Sequence, residues 1–261
     1  MKGMKIGFIG TGHMGASLAL AMQGEGIELL LNNRHKEKAE VLQRKIKDSR
    51  AVGLRECLLE SDILFLGVKP IDMDPLLREI GDSIPNKPLV SMAAGISIED
   101  ISRRVPNRII RIMPNTPVAI GMGVTLVCFG EGFLESEKEA FKGLLRKTGD
   151  VYEVEEASIN PISVLTGSAP AYLDYFLDSL IIAAKEAGLR EEEATEYALK
   201  MARGSVELAI RSGKSPLELG KEVCSPGGST IEGVNVLLDS DIHSIVKKAY
   251  RATLNKNKKM V

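Results

Sequence analysis

A short apolar strand, Lys5-Ile6-Gly7-Phe8-Ile9, runs straight into Gly10-Thr11-Gly12-His13-Met14-Gly15 and then into Ala16-Ser17-Leu18-Ala19-Leu20-Ala21-Met22, which reads as helix. Few folds accept that order. Gly10 permits a tight turn, Gly12 lets backbone approach a pyrophosphate, and Gly15 lets the helix pack closely on the strand. The glycine spacing alone is a weak signal, but between a strand and a helix at the start of a chain it is a strong one. The whole turn, with Thr11, His13 and Met14, is the expected cradle for a dinucleotide.

Up to about residue 160, short apolar runs alternate with helical patterns, as βα units feeding a mostly parallel sheet do. Strands are expected at Ile27 to Asn32, Ile63 to Val68, Leu89 to Met92, Ile109 to Met113, Gly123 to Phe129 and Val151 to Val154. Helical segments are expected at Asp72 to Ile80 and at Ser97 to Arg104, the latter capped by Ser97, and after Ser136, which forms a capping box with Glu139. From Pro161 onward the texture is helix alone. Glu191 to Ser212 puts Ala194, Tyr197, Ala198, Met201, Ala202, Val206 and Ala209 on one stripe, with Gly213 as its stop. Ser215-Pro216-Leu217-Glu218 is a capping box with proline at the first helical position, and Ile242, Ile245, Val246, Ala249 and Tyr250 repeat the helical spacing. The expectation is a Rossmann-type, doubly wound α/β domain over 1–160 followed by an all-α domain over 161–261. Tyr172 to Ala187 is apolar nearly all round, more than a lone helical lobe of this size can bury. It is therefore expected to pack on a second copy of this chain, in a homodimer or a higher oligomer.

The formal net charge of −1 and the isoelectric point near 6.4 give no electrostatic reason to expect nucleic acid or a membrane surface. Lys256, Lys258 and Lys259 read as a frayed, solvated tail. Cys57, Cys128 and Cys224 are too few and too scattered for a zinc cluster or a disulfide framework, and His13, His35 and His243 lack metal-ligand spacing, so no metal is expected. No apolar run reaches membrane-spanning length and the first residues read as a strand, not as a signal peptide, so a cytoplasmic location is expected.

In NAD-binding βαβ units an acid at the end of the second strand usually grips the ribose 2′-hydroxyl. Here that place reads Asn32-Asn33-Arg34-His35-Lys36. Asn33 can hydrogen-bond a 2′-phosphate and Arg34 can neutralise it, which favours NADPH, with NADH as the alternative cofactor. The competing reading makes Arg34 and Lys36 an exposed basic turn. Val68-Lys69-Pro70 ends a buried strand at the sheet edge where ligands bind, so Lys69 is either a cofactor neighbour or a surface lysine. Ala93-Ala94-Gly95 ends the next strand with residues small enough for close approach of a nicotinamide, although turn chemistry would choose them too. Asn115 and Thr116, held between Pro114 and Pro117 at a strand tip, make rigid site material.

Val223-Cys224-Ser225-Pro226-Gly227-Gly228-Ser229-Thr230 carries a second kind of site. A glycine pair behind a proline leaves the Gly227, Gly228 and Ser229 amides free to converge on a carboxylate, with the Thr230 hydroxyl at the rim. The plainer reading is a turn between helices.

Taken in order, Gly10-Thr11-Gly12-His13-Met14-Gly15, Val68-Lys69-Pro70, Met113-Pro114-Asn115-Thr116-Pro117, Gly167-Ser168-Ala169-Pro170-Ala171-Tyr172 and Ser225-Pro226-Gly227-Gly228-Ser229-Thr230 resemble the pyrroline-5-carboxylate reductases over nearly the whole chain. The resemblance implies reduction of 1-pyrroline-5-carboxylate to L-proline, an N-terminal lobe that binds NAD(P)H, and a helical lobe that dimerises. It also implies that the Ser-Pro-Gly-Gly loop binds the substrate carboxylate near the nicotinamide and that Thr230 faces the imine nitrogen, as the catalytic candidate. The chain departs from the family pattern at His13, where asparagine is usual, at Ala169, where glycine is common, at Cys224 and at Glu232. Two other readings remain open. One is a 3-hydroxyacid dehydrogenase, although Gly167 to Ser179 contains no lysine of the kind those enzymes carry on the first long helix of the helical lobe. The other is an NADP-binding regulator without turnover.

Overall fold

The computed structural model describes residues 3–258. Eight strands form one sheet: β1 (Met4–Ile9), β2 (Ile27–Asn32), β3 (Ser49–Ala51), β4 (Ile63–Leu66), β5 (Leu89–Ser91), β6 (Ile109–Met113), β7 (Gly123–Phe129) and β8 (Gly149–Glu153), in the order β3-β2-β1-β4-β5-β6-β7-β8. Neighbours are parallel except β6 and β7, which run antiparallel. The helices that follow these strands are α1 (His13–Met22), α2 (Lys36–Gln43), α3 (Leu54–Glu60), α4 (Pro70–Ile80), α5 (Ile98–Ser102), α6 (Glu135–Leu145) and α7 (Glu156–Ser163).

The inner strands are largely apolar, β4 at all four of its positions, because both faces of the sheet are covered. Along β2, Leu29 and Leu31 join one core while Leu30 joins the other; along β4, Phe65 faces the first and Leu64 and Leu66 the second. Phe8 and Phe65 stack with centroids 4.8 Å apart in the first core. Each such fully buried side chain contributes about 1.5–3 kcal/mol relative to exposure. The C-terminal ends of β1, β2, β4, β5 and β6 share one edge, and the loops they feed make the ligand-facing rim.

By its internal contacts the chain divides into two compact units. One runs through Gly167 and takes in the chain's end from Leu254; the other is Ser168–Thr253. The second holds α8 (Ala169–Glu186), α9 (Glu191–Ser212), α10 (Pro216–Val223), α11 (Ser229–Asp239) and most of α12 (Ile242–Lys258). Taken by itself, this unit leaves Tyr175, Ile182, Tyr197, Met201, Val206 and Val246 exposed. Ser97 caps α5 as expected, in a box with Asp100, and Ser215 caps α10 in a box with Glu218.

Three expectations change. Residues 160 and 161, between which a domain boundary was expected, both lie inside α7. The box after β7 does not start at Ser136: α6 opens behind Leu134, whose N–H donates to Glu137 Oε2 at 2.9 Å. The C-terminal lysines do not begin a frayed tail, because α12 runs through Lys258; Lys259 lies outside the described residues.

Candidate functional site

β1 ends at Ile9 and the chain turns through Gly10 with φ of +93°. A Cβ on Gly10 would lie 2.6 Å from the Gly67 carbonyl carbon, and one on Gly15 2.3 Å from the Gly10 oxygen, so glycine is enforced there by the approach of β1, α1 and the end of β4. Gly12 differs, since a Cβ there would meet nothing within 4 Å. That open space over exposed backbone is what a pyrophosphate requires. Gly12 is also the N-cap of α1 and carries no side-chain capping bond, which leaves the first-turn N–H groups and the positive end of the helix for an anion. The cradle thus fits a dinucleotide.

A cleft of about 580 Å³ extends from this turn, lined among others by Gly10, Asn33, Arg34, Val68, Lys69 and Asp72. Lys69, exposed, precedes Pro70 at the start of α4. Asn33 faces inward: its Nδ2 donates to Thr11 Oγ1 at 3.0 Å and its Oδ1 accepts the His35 N–H at 3.0 Å. Both ends of that amide shape the turn, so Asn33 ties the rim together at the place where the anion contact was expected. Arg34 lies in the cleft with Nη2 3.0 Å from Asp72 Oδ1. His13 is exposed at the start of α1, while Met14 packs against the first core.

Ala93, Ala94 and Gly95 follow β5 on the same edge of the sheet, with Ala93 buried and Gly95 at φ of +77°. Asn115 follows β6, and both ends of its side chain are used inside the protein. Its Nδ2 donates to the Thr166 carbonyl and its Oδ1 accepts the Val124 N–H, each at 2.8 Å. The Thr166 carbonyl belongs to a π-helical turn, Val164–Ser168. A larger cleft of about 990 Å³ lies at the opposite edge, where β6 begins and β7 ends, and none of the expected site residues line it.

In the second unit, Gly227 takes φ of +72°, which folds Ser225-Pro226-Gly227-Gly228 into a turn closed by the Gly228 N–H donating to the Ser225 carbonyl at 3.0 Å. The Gly228 amide is thereby spent, which corrects its place among the free donors. Gly228 instead stands at the N-cap of α11 without a side-chain bond, which leaves the N–H groups of Ser229 and Thr230 in the first helical turn without intrahelical partners. Thr230 stands inside that turn, exposed, and its hydroxyl makes no hydrogen bond among the described residues.

Asp72 and Arg111 went unremarked as charges in the sequence. Nothing local pairs Asp72 with Arg34 across 38 positions. Arg111, on β6, is a buried cation with Nη1 2.8 Å from Glu156 Oε1 on α7. Cys57 is no nucleophile, because burial pushes its thiol up to about 12. Among the described residues no helix is long and apolar enough to cross a membrane.

The family model described as pyrroline-5-carboxylate reductase dimerisation matches residues 156–260, and one described as NADP oxidoreductase, coenzyme F420-dependent, matches residues 5–95. The chain is 31% identical to the pyrroline-5-carboxylate reductase of Escherichia coli over 98% of both chains. It is 32% identical to that of Arabidopsis thaliana over 96% of this chain and 90% of the relative. The solved pyrroline carboxylate reductase of Plasmodium falciparum with NADP bound superposes with a TM-score of 0.90 at 27% identity, covering 100% of this chain and 99% of that one.

Proposed function

Because the chain belongs to the pyrroline-5-carboxylate reductase family, we propose that it reduces 1-pyrroline-5-carboxylate to L-proline, taking its hydride from NADPH in preference to NADH. The observation that carries the reading is the pairing, in one chain, of the Gly10–Gly15 cradle with the uncapped first turn of α11 behind Gly227-Gly228. Those are sites for two different anions, a dinucleotide and a small carboxylate. The first unit takes the cofactor; the second takes the substrate carboxylate and self-associates as a homodimer.

When bound, the reduced nicotinamide supplies a hydride to the C=N carbon of the substrate. The protein's part is to bind, orient and manage one proton. The Gly10–Gly15 turn and the α1 N-terminus hold the pyrophosphate, and Arg34 neutralises a 2′-phosphate. The first-turn N–H groups of α11, at Ser229 and Thr230, hold the carboxylate, and Gly227 gives the turn its positive φ. The Thr230 hydroxyl hydrogen-bonds the imine nitrogen and passes it a proton through water. A protonated imine is already electrophilic, so orienting the two reactants accounts for most of the rate, and no strong side-chain acid is needed.

The test is an assay of purified protein with 1-pyrroline-5-carboxylate and each cofactor, followed by loss of dihydronicotinamide absorbance and by chromatographic detection of proline. Turnover with a larger kcat/KM for NADPH is expected. Cofactor binding without proline formation would leave a non-catalytic NADP-binding protein.

A further inference from the structure

The cofactor cleft holds a carboxylate where a 2′-phosphate site would not be expected to carry one. β2 ends at Asn32 and runs on into Asn33-Arg34, without the acid that commonly accepts from an adenosine ribose. Asp72, in the first turn of α4, lines the same cleft and reaches Arg34 from its other wall, Oδ1 to Nη2 at 3.0 Å. Among the described residues that carboxylate has no other side-chain partner, and Arg34 has none but Asp72. Both side chains are open to a ligand, at 75% exposure for Arg34 and 32% for Asp72.

We propose that Asp72 is a cofactor-specificity residue, and that the Arg34–Asp72 pair sets how sharply the enzyme tells NADPH from NADH. The proposal rests on the reading of Arg34 as the 2′-phosphate partner. A 2′-phosphate must take the guanidinium from a carboxylate that already neutralises it, and it then lies beside that like charge. A 2′-hydroxyl meets the opposite situation, because Asp72 offers it the anionic acceptor that β2 lacks. One acid therefore weakens the favoured cofactor and supports the other.

The experiment uses the intact protein and Asp72→Asn, which removes the charge and keeps the shape. Dissociation constants are measured by titration for NADPH and NADH. Adenosine 2′,5′-bisphosphate and 5′-AMP serve as probes of the adenosine end alone. The variant is expected to bind NADPH and the bisphosphate more tightly and NADH and AMP more weakly, so that the NADPH:NADH affinity ratio grows about threefold, a modest shift suited to an exposed pair. An unchanged ratio would make Asp72 only a first-turn acid that suits the helix dipole. A ratio moving toward NADH would mean that Asp72 orients Arg34 for the phosphate; either result overturns the proposal. Asp72→Ser, also at home in a helix's first turn, repeats the measurement should the amide variant misfold. Arg34→Ala separates the two layers, with NADPH affinity expected to fall and NADH affinity to hold. If NADPH affinity does not fall, the assignment of Arg34 is itself wrong and the Asp72 inference goes with it. If it falls while Asp72→Asn leaves the ratio alone, only the Asp72 inference is lost.

Discussion

Asn33 Nδ2 donates to Thr11 Oγ1 at 3.0 Å, so the tip of β2 is pinned to the glycine turn that follows β1. Its Oδ1 holds the His35 N–H at the same time, closing the turn that carries Arg34. Replacing Asn33 by Ala should therefore loosen the rim as a whole. We expect NADPH and NADH affinities to fall by similar factors, with a stability loss of about 1 kcal/mol from two lost hydrogen bonds at a part-buried site. Cofactor titration together with urea unfolding checks this, and a loss confined to NADPH would make Asn33 a direct phosphate ligand after all.

Among the described residues Arg111 on β6 and Glu156 on α7 form the most buried ion pair, with side chains 5% and 30% exposed. Glu156 Oε1 also accepts the Ile98 N–H at 2.8 Å, joining β6, α5 and α7. Among the described residues Arg111 Nε and Nη2 have no hydrogen-bond partner, so Glu156 is the chief compensation for that cation. Truncating Glu156→Ala should cost about 2–3 kcal/mol, at the low end for breaking a buried pair because Glu156 is partly solvated. Denaturant midpoints at constant slope measure it, and a loss under about 0.5 kcal/mol would show water doing the same work.

On α6, Lys142 lies 2.6 Å from Glu139 and 2.8 Å from Glu153 at the end of β8, and Lys138 lies 3.3 Å from Glu153. The bond from Lys142 is the main reason that Glu153 titrates below the usual 4.5, with Lys138 adding to it. A carboxylate whose pKa is lower folded than unfolded stabilises the fold above the unfolded value. That stability is lost as pH falls through the folded one. Thermal melts should thus show the wild type losing part of its advantage over Glu153→Gln as pH drops from 7 toward 3. Parallel curves for the two proteins would deny the pair any role in acid stability.

The second unit exposes Tyr197, Met201 and Val206, three members of the stripe that the sequence placed on α9, along with Tyr175 and Ile182 on α8. Sedimentation across a wide dilution range should find an oligomer whose activity disappears with dissociation. A stable, active monomer would contradict this.

What could be read beforehand was whatever depends on local periodicity. The expected bounds of β2, β6 and β7 matched the observed strands to the residue, because strands covered on both faces show as predominantly apolar stretches bounded by turn residues. Three-residue β3 escaped, since Ser49-Arg50-Ala51 carries no hydrophobic signal; its Arg50 is instead held by Glu28, Glu56 and Glu60. The Ser136–Glu139 pattern misled because the acid half of a cap works without a hydroxyl, as Glu137 does for the Leu134 N–H. In the site, the glycine spacing announced the turn, whereas the ties of Thr11 to Asn33 and of Arg34 to Asp72 span 22 and 38 positions and follow only from how β1, β2 and α4 meet. The spent amide of Gly228 was hidden for a related reason: the positive φ of Gly227 decides which N–H turns inward.

Thr230 brings the last prediction. It lies in the first turn of α11 while Gly228 occupies the N-cap, so its hydroxyl is not the helix cap. Thr230→Val keeps the β-branched shape and removes only the hydroxyl. If that hydroxyl binds the imine nitrogen, the variant should take up NADPH normally yet lose turnover by roughly 10- to 10³-fold, the worth of one transition-state hydrogen bond of about 1.5–4 kcal/mol. Affinity for the substrate carboxylate should move less, because the backbone N–H groups of Ser229 and Thr230 survive the substitution. Valine, less favourable than threonine nowhere by more than a few tenths of a kcal/mol within a helix, should leave the melting temperature nearly unchanged. Measuring kcat, KM and melting temperature on one preparation separates chemistry from folding, and an undiminished kcat would remove Thr230 from the mechanism.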